Sequence, residues 1–305
     1  MKEPIFIIGC PRSGTTLLAR MLEPTSYGKP VESHFITKYY KQLSQYGDLS
    51  QWKNFNALLT SILRERPVQQ WNLNIDLEKF YRGMEEFHYS EIVNKLCLLR
   101  AKTRGRAAWG DKTPNYLFDL DILDQLFPDA KYIYIVRDGR DVALSILQKP
   151  WGPNNIYCCA EYWEKCNNKH KTVLDKLTKN RQLYPVKYEN LIHDPNKIIA
   201  SIYDFLCEPY DSGKITPLIA HVNKENCNRW KTIMTPHQVR IFESIAEKTL
   251  NRFGYETTYH KSKGIIPLAF FYHLHNQIHR KWYLFKLNTI DTIKIKLGLK
   301  EPFTE

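Results

Sequence analysis

Residues 6–22, FIIGCPRSGTTLLARML, join a hydrophobic strand to an amphipathic helix through a loop bounded by glycines. The spacing from Gly9 to Gly14 matches the phosphate-cradling pattern G-x-x-x-x-G-K-[ST], but Thr15 stands where the lysine belongs. Backbone N–H groups of such a loop can surround an anion. Ser13, Thr15 and Thr16 add hydroxyl donors, and Arg12 adds a fixed positive charge. A helix starting near Thr15 directs its N-terminal dipole at the same place. The loop therefore suits an anion but lacks the residue that reaches the outer phosphates of a triphosphate. A tight strand-turn-helix connection with no ligand would fit the same letters.

A second stretch, KYIYIVRDGRDVALSIL (131–147), repeats the logic with different residues. Arg137 ends an apolar strand, a helix follows from about Asp138, and Ser145 lies eight residues beyond Arg137. In open α/β sheets, ligands collect outside the carboxyl ends of the strands. Two anion-friendly strand ends suggest a ligand with two separated anionic groups. The alternative is that Arg137, Asp138, Arg140 and Asp141 form a surface ion-pair cluster. Asp138 could serve as the magnesium carboxylate of a nucleotide triphosphatase, but it sits between Arg137 and Arg140, which favour an anion over a metal.

The elements that must position these residues are legible as apolar runs. PIFIIG (4–9), KYIYIV (131–136) and LYPVKY (183–188) read as parallel strands covered on both faces. TTLLARMLE, LDILDQLF, DVALSILQ, AEYWEKCNNKHKTVLDKL and PNKIIASIYDFL read as helices between them. The alternation predicts an α/β fold: a P-loop-type parallel sheet flanked by helices. The first two strands lie about 120 residues apart, so the intervening chain is expected to form a largely helical insertion, supported by FNALLTSILRE and SEIVNKLCLLRAK.

A chain of 305 residues can bury a large core, and 43% apolar with 25% charged residues is ordinary for a globular protein. No window approaches the ~18 apolar residues of a spanning helix. The N-terminus is too poor in apolar residues for a signal peptide, so a cytoplasmic location is expected. Seven cysteines without C-x-x-C spacing argue for buried free thiols over disulfides or zinc. The net charge of +12 favours anionic substrates, polyanions or membrane surfaces. Residues 261–305 contribute +5 of it, from eight Lys/Arg against three acids. There PLAFFYHLHNQIHRKWYLFKL reads as a packed C-terminal helix or as a surface helix touching a membrane or carrier; packing is the commoner case.

The chain resembles sulfotransferases that use 3′-phosphoadenosine 5′-phosphosulfate (PAPS), bacterial and tyrosylprotein sulfotransferases in particular. PRSGTT resembles the family's 5′-phosphosulfate loop, where threonine often replaces the lysine, and IVRDGRDVALS resembles its 3′-phosphate motif, with Arg137 and Ser145 as anion ligands. WGDKTPNYL (109–117), VKYENLIHDPNKIIASIYDFL (186–206) and NRWKTIMTPHQVRIFESIAEKTLNRFGYE (228–256) resemble further family segments in the expected order. The likeness covers roughly 4–32 and 108–256. It implies a single sulfotransferase domain over 1–305, with 33–107 as a helical insertion shaping the acceptor site and 260–305 as a basic aromatic extension.

The resemblance also implies roles. PAPS would be the co-substrate and PAP the product, bound by Arg12, Ser13, Gly14, Thr15, Thr16, Arg137, Ser145, Tyr188, Arg229, Trp230 and Lys231, with no metal. A sulfuryl group carries less charge than a terminal phosphoryl, so amides, hydroxyls and Arg12 could suffice without a loop lysine. Glu32, about 17 residues beyond the loop in KPVESHFI, takes the general base's place, with His34 as the substitute. Lys112 in GDKTP, with Arg12, would neutralise charge on the leaving phosphate. Tyrosylprotein relatives carry Ser where this chain has Asn228, which weakens the case for a peptide-tyrosine acceptor. The expected acceptor is a hydroxyl: a carbohydrate or lipid-linked glycan is marginally favoured, because the basic balance suits an anionic glycan, with peptide tyrosine or a small phenol or alcohol as the alternatives. Acceptor specificity is expected to lie in the insertion and the tail, which are rich in aromatic residues such as Trp52, Trp71, Phe80, Tyr81 and Phe87. The competing readings are a P-loop kinase or nucleotide hydrolase, which the absent lysine disfavours, and a non-enzymatic basic protein binding nucleic acid or lipid. No nucleic-acid module is recognisable.

Overall fold

The computed structural model describes residues 2–220, 222–259 and 269–291. Positions 260–268 and 292–305 of the C-terminal extension lie outside the described residues. The chain forms two compact units, Met1–Arg137 with Lys169–Lys224, and Asp138–Asn168 with Glu225–Glu305.

The first unit carries a four-stranded, all-parallel sheet in the order β2-β1-β3-β4, with β1 at Ile5–Ile8, β2 at Gly110–Asp111, β3 at Lys131–Val136 and β4 at Leu183–Lys187. Every residue of β1 and all but Lys131 of β3 are buried, as strands covered on both faces must be. Phe6 of β1 packs against Trp109, Phe127 and Tyr132, with ring centroids 5.8, 5.7 and 5.5 Å away. Each such fully buried apolar side chain stabilises the fold by roughly 1.5–3 kcal/mol. β4 departs from the sequence expectation. It is an edge strand with Pro185 exposed and Tyr184 and Lys187 half-buried, and an edge is where a residue lacking N–H is tolerated in a sheet.

The 33–107 region is largely helical: Ile36–Tyr40, Trp52–Leu63, Arg66–Gln69, Leu77–Arg82 and Tyr89–Thr103. Phe55, Leu58, Leu59 and Ile62 recur at helical spacing and are buried, which seats the Trp52–Leu63 helix. Asp76 caps the next helix but one by accepting from Lys79 N at 3.0 Å.

The second unit is built on helices Gly139–Leu147, Ile156–Asn168 and Pro236–Arg252. Trp163 is fully buried in it, and a Cβ on Gly139 would lie 2.5 Å from the Trp163 ring, so only glycine lets these helices approach. A capping box, Thr235 with Gln238, starts the Pro236–Arg252 helix. The run AEYWEKCNNKHKTVLDKL, read as one helix, is two, Ile156–Asn168 and Lys171–Lys179. Asn167 Nδ2 donates to the Trp163 carbonyl at 2.6 Å, a side-chain bond that competes with continuation of the helix. All seven cysteines are thiols, but only five are buried; Cys207 is exposed and Cys227 half-buried.

Candidate functional site

Because the four strands are parallel, their carboxyl ends emerge along one edge. The residue after each strand is a predicted site residue or the start of the loop: Gly9 after β1, Lys112 after β2, Arg137 after β3 and Tyr188 after β4.

The β1 loop turns through two left-handed residues, Arg12 at φ 74° and Gly14 at φ 99°. Arg12 is a non-glycine residue in that region, a local strain found where backbone geometry matters to a ligand. Gly14 cannot be replaced without a clash, since a Cβ there would lie 2.5 Å from the Tyr188 ring. Ser13 is completely buried, and among the described residues its Oγ has no hydrogen-bond partner. A buried hydroxyl without a partner costs free energy that an anion seated in the loop would recover. Thr15 is buried in the first turn of the Thr15–Met21 helix, while Thr16 and Arg12 are exposed.

The chain after that helix returns to the sheet. Val31 bridges Asp111 in parallel, and Lys112 N donates to Val31 O at 2.9 Å. Ser33 N and Oγ bond Thr113 Oγ1 and Tyr116 OH at 3.1 and 2.7 Å. This isolated bridge sets Glu32 against Lys112. Lys112 Nζ donates to Glu32 Oε1 and, at 3.3 Å, to Thr16 Oγ1 of the loop; His34 Nε2 lies 2.7 Å from Glu32 Oε2. Burial pushes the Glu32 carboxyl up, but hydrogen bonds from His34 and Lys112 and their charge outweigh it, holding Glu32 below its ordinary value. Base candidate, backup base and cation thus form one cluster beside the loop.

Asp111, next to this cluster, is buried, and burial pushes its carboxyl up to about 6 against hydrogen bonds from Ser33 and Thr113. Such a group contributes stability below its unfolded value of 3.8 and loses it as pH rises through about 6. Asp111→Asn removes that ionisation. It should stabilise the fold by about 3 kcal/mol at about pH 8 and by less than about 1 kcal/mol near pH 4. Denaturant melts at both pH values check this; the same difference at both would contradict it.

Arg137 is buried at the end of β3. Its NH1 donates to the Arg12 carbonyl at 3.1 Å, and its guanidinium lies 4.5 Å from the Tyr188 ring centroid. Gly14, Tyr188 and Arg137 therefore pack in sequence, fixing the loop to the sheet edge.

In the second unit, the acidic and basic residues after β3 are not the surface cluster that the sequence allowed. Asp138, Arg140 and Asp141 are 4%, 1% and 2% exposed. Arg140 makes a two-pronged pair with Asp138 (Nε to Oδ1 3.0 Å, NH2 to Oδ2 2.8 Å) and reaches Glu243 Oε1 with NH1 at 2.6 Å. Its guanidinium carbon stacks 3.6 Å from the Trp230 ring centroid. Asp138 also accepts from Arg140 N at 2.9 Å and caps its helix, so both its oxygens are engaged by Arg140. Asp141 accepts from Asn228 N at 2.8 Å and Trp230 N at 2.9 Å, which anchors the Asn228–Lys231 stretch. Asn228 sits at φ 59°, a conformation asparagine enters more readily than serine. Trp230 is buried, Arg229 half-buried and Lys231 exposed, with Ser145 half-buried on the Gly139–Leu147 helix. The sequence reading missed Glu243 altogether, because its partner lies 103 residues away.

Two further groupings come from the fold. Trp71 and Phe80 are buried, and Phe55, Tyr81 and Phe87 pack on one another with centroids 5.0–6.0 Å apart, so most of these aromatics hold the insertion together. Trp52 alone of the five is exposed. Among the described residues, Cys158, Glu161 and His273 bring three possible metal-ligand atoms within 4.8 Å of one another, a grouping that no sequence spacing announced.

The family model of the sulfotransferase family matches residues 4–212. The chain is 26% identical over 278 residues to protein-tyrosine sulfotransferase A of Caenorhabditis elegans, covering 83% of this chain and 67% of that one. It is 27% identical over 303 residues to the omega-hydroxy-beta-dihydromenaquinone-9 sulfotransferase Stf3 of Mycobacterium tuberculosis, covering 83% and 75%. Other relatives are spanned only in part: 36% of nodulation protein NoeE of Sinorhizobium fredii and 26% of an Aquifex aeolicus protein. The fold is similar to the sulfotransferase domain from the curacin biosynthetic pathway, with TM-score 0.55, 22% identity, and 85% of this chain and 99% of that one covered.

Proposed function

The chain belongs to the sulfotransferase family, and on that premise we propose that it transfers a sulfuryl group from PAPS to an acceptor hydroxyl, with Glu32 as general base. The observation that carries the reading is the joining of Glu32, Lys112 and Thr16 in one hydrogen-bonded cluster beside a glycine loop. The buried, unpartnered Ser13 hydroxyl supports an anionic occupant for that loop. When bound, PAPS supplies the sulfuryl group and a nucleotide leaving group.

The remaining work falls to the chain's own residues. Loop amides with the Ser13, Thr15 and Thr16 hydroxyls hold the phosphosulfate end. Arg137, Ser145, Tyr188, Arg229, Trp230 and Lys231 are assigned to the nucleotide, Arg137 and Ser145 to its 3′-phosphate. Lys112 and Arg12 stabilise charge as the donor bond breaks. Lys112 pairs with Glu32 now, and an anion in the loop competes for the same ammonium. Glu32 then regains basicity as it accepts the acceptor's proton. His34 orients the carboxylate through its other oxygen.

We place the acceptor among hydroxyl compounds, with an anionic or lipid-linked glycan preferred on the strength of the +12 charge. Named relatives act on tyrosine and on a menaquinone derivative, so the test offers all three classes. Incubation with PAPS and a tyrosine peptide, an anionic glycan or a polyprenyl alcohol should yield sulfated glycan. Sulfation of the peptide alone would overturn the acceptor class. Arg137→Ala should weaken PAP much more than adenosine 5′-phosphosulfate, which lacks the 3′-phosphate. Equal weakening in a calorimetric titration would reassign Arg137.

A further inference from the structure

The helix Ala269–Phe285 turns its sides the opposite way from a core helix. Its inward residues are half-buried and mostly polar: Tyr272, Asn276, His279 and Tyr283. Tyr272 stacks on Tyr157 at 5.2 Å, Asn276 Oδ1 accepts from Asn154 N at 3.1 Å, and Asn155 Nδ2 donates to the Tyr272 carbonyl at 3.0 Å. The packed helix expected from sequence is therefore only half realised, because the contacts use the polar side.

The apolar side faces outward. Phe270, Phe271, Leu274, Ile278, Trp282 and Phe285 are 68%, 63%, 42%, 61%, 59% and 51% exposed. At helical pitch they lie within an arc of about 120° and along about 24 Å of helix. A soluble surface rarely leaves so continuous an apolar stripe uncovered. Arg280, Lys281 and Lys286 are exposed in the same segment, and the helix contains no acidic residue. Among the described residues, no helix is long and apolar enough to cross a membrane.

We propose that this helix docks the protein on an anionic bilayer, lying in the plane of the headgroups with its aromatic stripe at the acyl boundary. Its composition, with Phe, Trp and Leu forming the stripe, Arg280 and Lys286 beside it and the long Lys281 stem within it, suits that environment. A second copy of the chain is the poorer occupant, because pairing two such faces sets like charges against each other. The proposal does not depend on the reaction assigned above.

Co-sedimentation with vesicles tests it, using phosphatidylcholine alone and phosphatidylcholine mixed with phosphatidylglycerol. The protein should sediment with the mixed vesicles and remain in solution with the neutral ones. Arg280→Gln, Lys281→Gln and Lys286→Gln should each lower vesicle affinity about fivefold. Ile278→Asp combined with Trp282→Asp should abolish sedimentation without moving the melting temperature or PAP affinity, since both positions are solvent-exposed. Failure to bind mixed vesicles would overturn the proposal, as would binding that the double substitution leaves intact. A lipid-independent dimer that this substitution dissolves would assign the face to a second copy instead.

Discussion

Glu32→Ala is expected to reduce sulfuryl transfer by about 10²- to 10⁴-fold while PAP affinity stays close to wild type. The separation follows from geometry. Glu32 contacts Lys112 and His34, whereas the loop that would hold the donor is formed by other residues. Because Ala also strips Lys112 of its carboxylate partner, Glu32→Gln is the sharper variant: it keeps the shape and removes the base. His34→Ala should cost less than either if, as proposed, the imidazole orients the carboxylate and Glu32 takes the proton. Steady-state rates with a productive acceptor, and calorimetry with PAP, check the pair of expectations. A large loss in His34→Ala beside a mild one in Glu32→Gln would exchange their roles.

The second large effect concerns stability. Arg140→Met should destabilise the fold by about 3–5 kcal/mol, because it leaves two carboxylates, Asp138 and Glu243, without their cation. Glu243 is completely buried, and its Oε2 already accepts from Thr258 N at 2.9 Å and Tyr259 N at 2.7 Å. Those backbone bonds hold the carboxylate where water cannot replace the guanidinium. Trp230 would also lose the planar group stacked on it. Arg140→Lys should recover only part of the loss, since an ammonium cannot make the two-pronged contact with Asp138 while reaching Glu243. Equilibrium unfolding in urea measures both variants. A loss below about 1 kcal/mol for Arg140→Met would mean that the pairs contribute no more than surface ones.

Local chemistry was legible in the sequence wherever it was written in adjacent letters. β1 and β3 stood out as apolar runs, and the glycine loop and Arg137 were identifiable by their place at strand ends. β2 was not, because two residues, Gly110 and Asp111, make no pattern of their own and pair only through β1 and Val31. That pairing is what brings Lys112 to Glu32, 80 residues earlier, so the proposed site depends on a long-range contact that no spacing reveals. Glu32 and Lys112 were found individually, by resemblance, and their contact came from the fold. Arg140 shows the opposite failure. Its charge suggested an exposed site, while its partner Glu243 and its cover Trp230 come from distant segments that bury it. The C-terminal helix was recognised as amphipathic, but periodicity cannot tell which side turns inward.

Whether the lysine-less loop serves a phosphosulfate nucleotide is decided by calorimetric titration of the purified protein with PAP and with ATP, each with and without magnesium. PAP should bind tightly whether or not magnesium is present, and ATP should show no comparable binding. Magnesium-dependent binding of ATP with none of PAP would contradict that role of the loop.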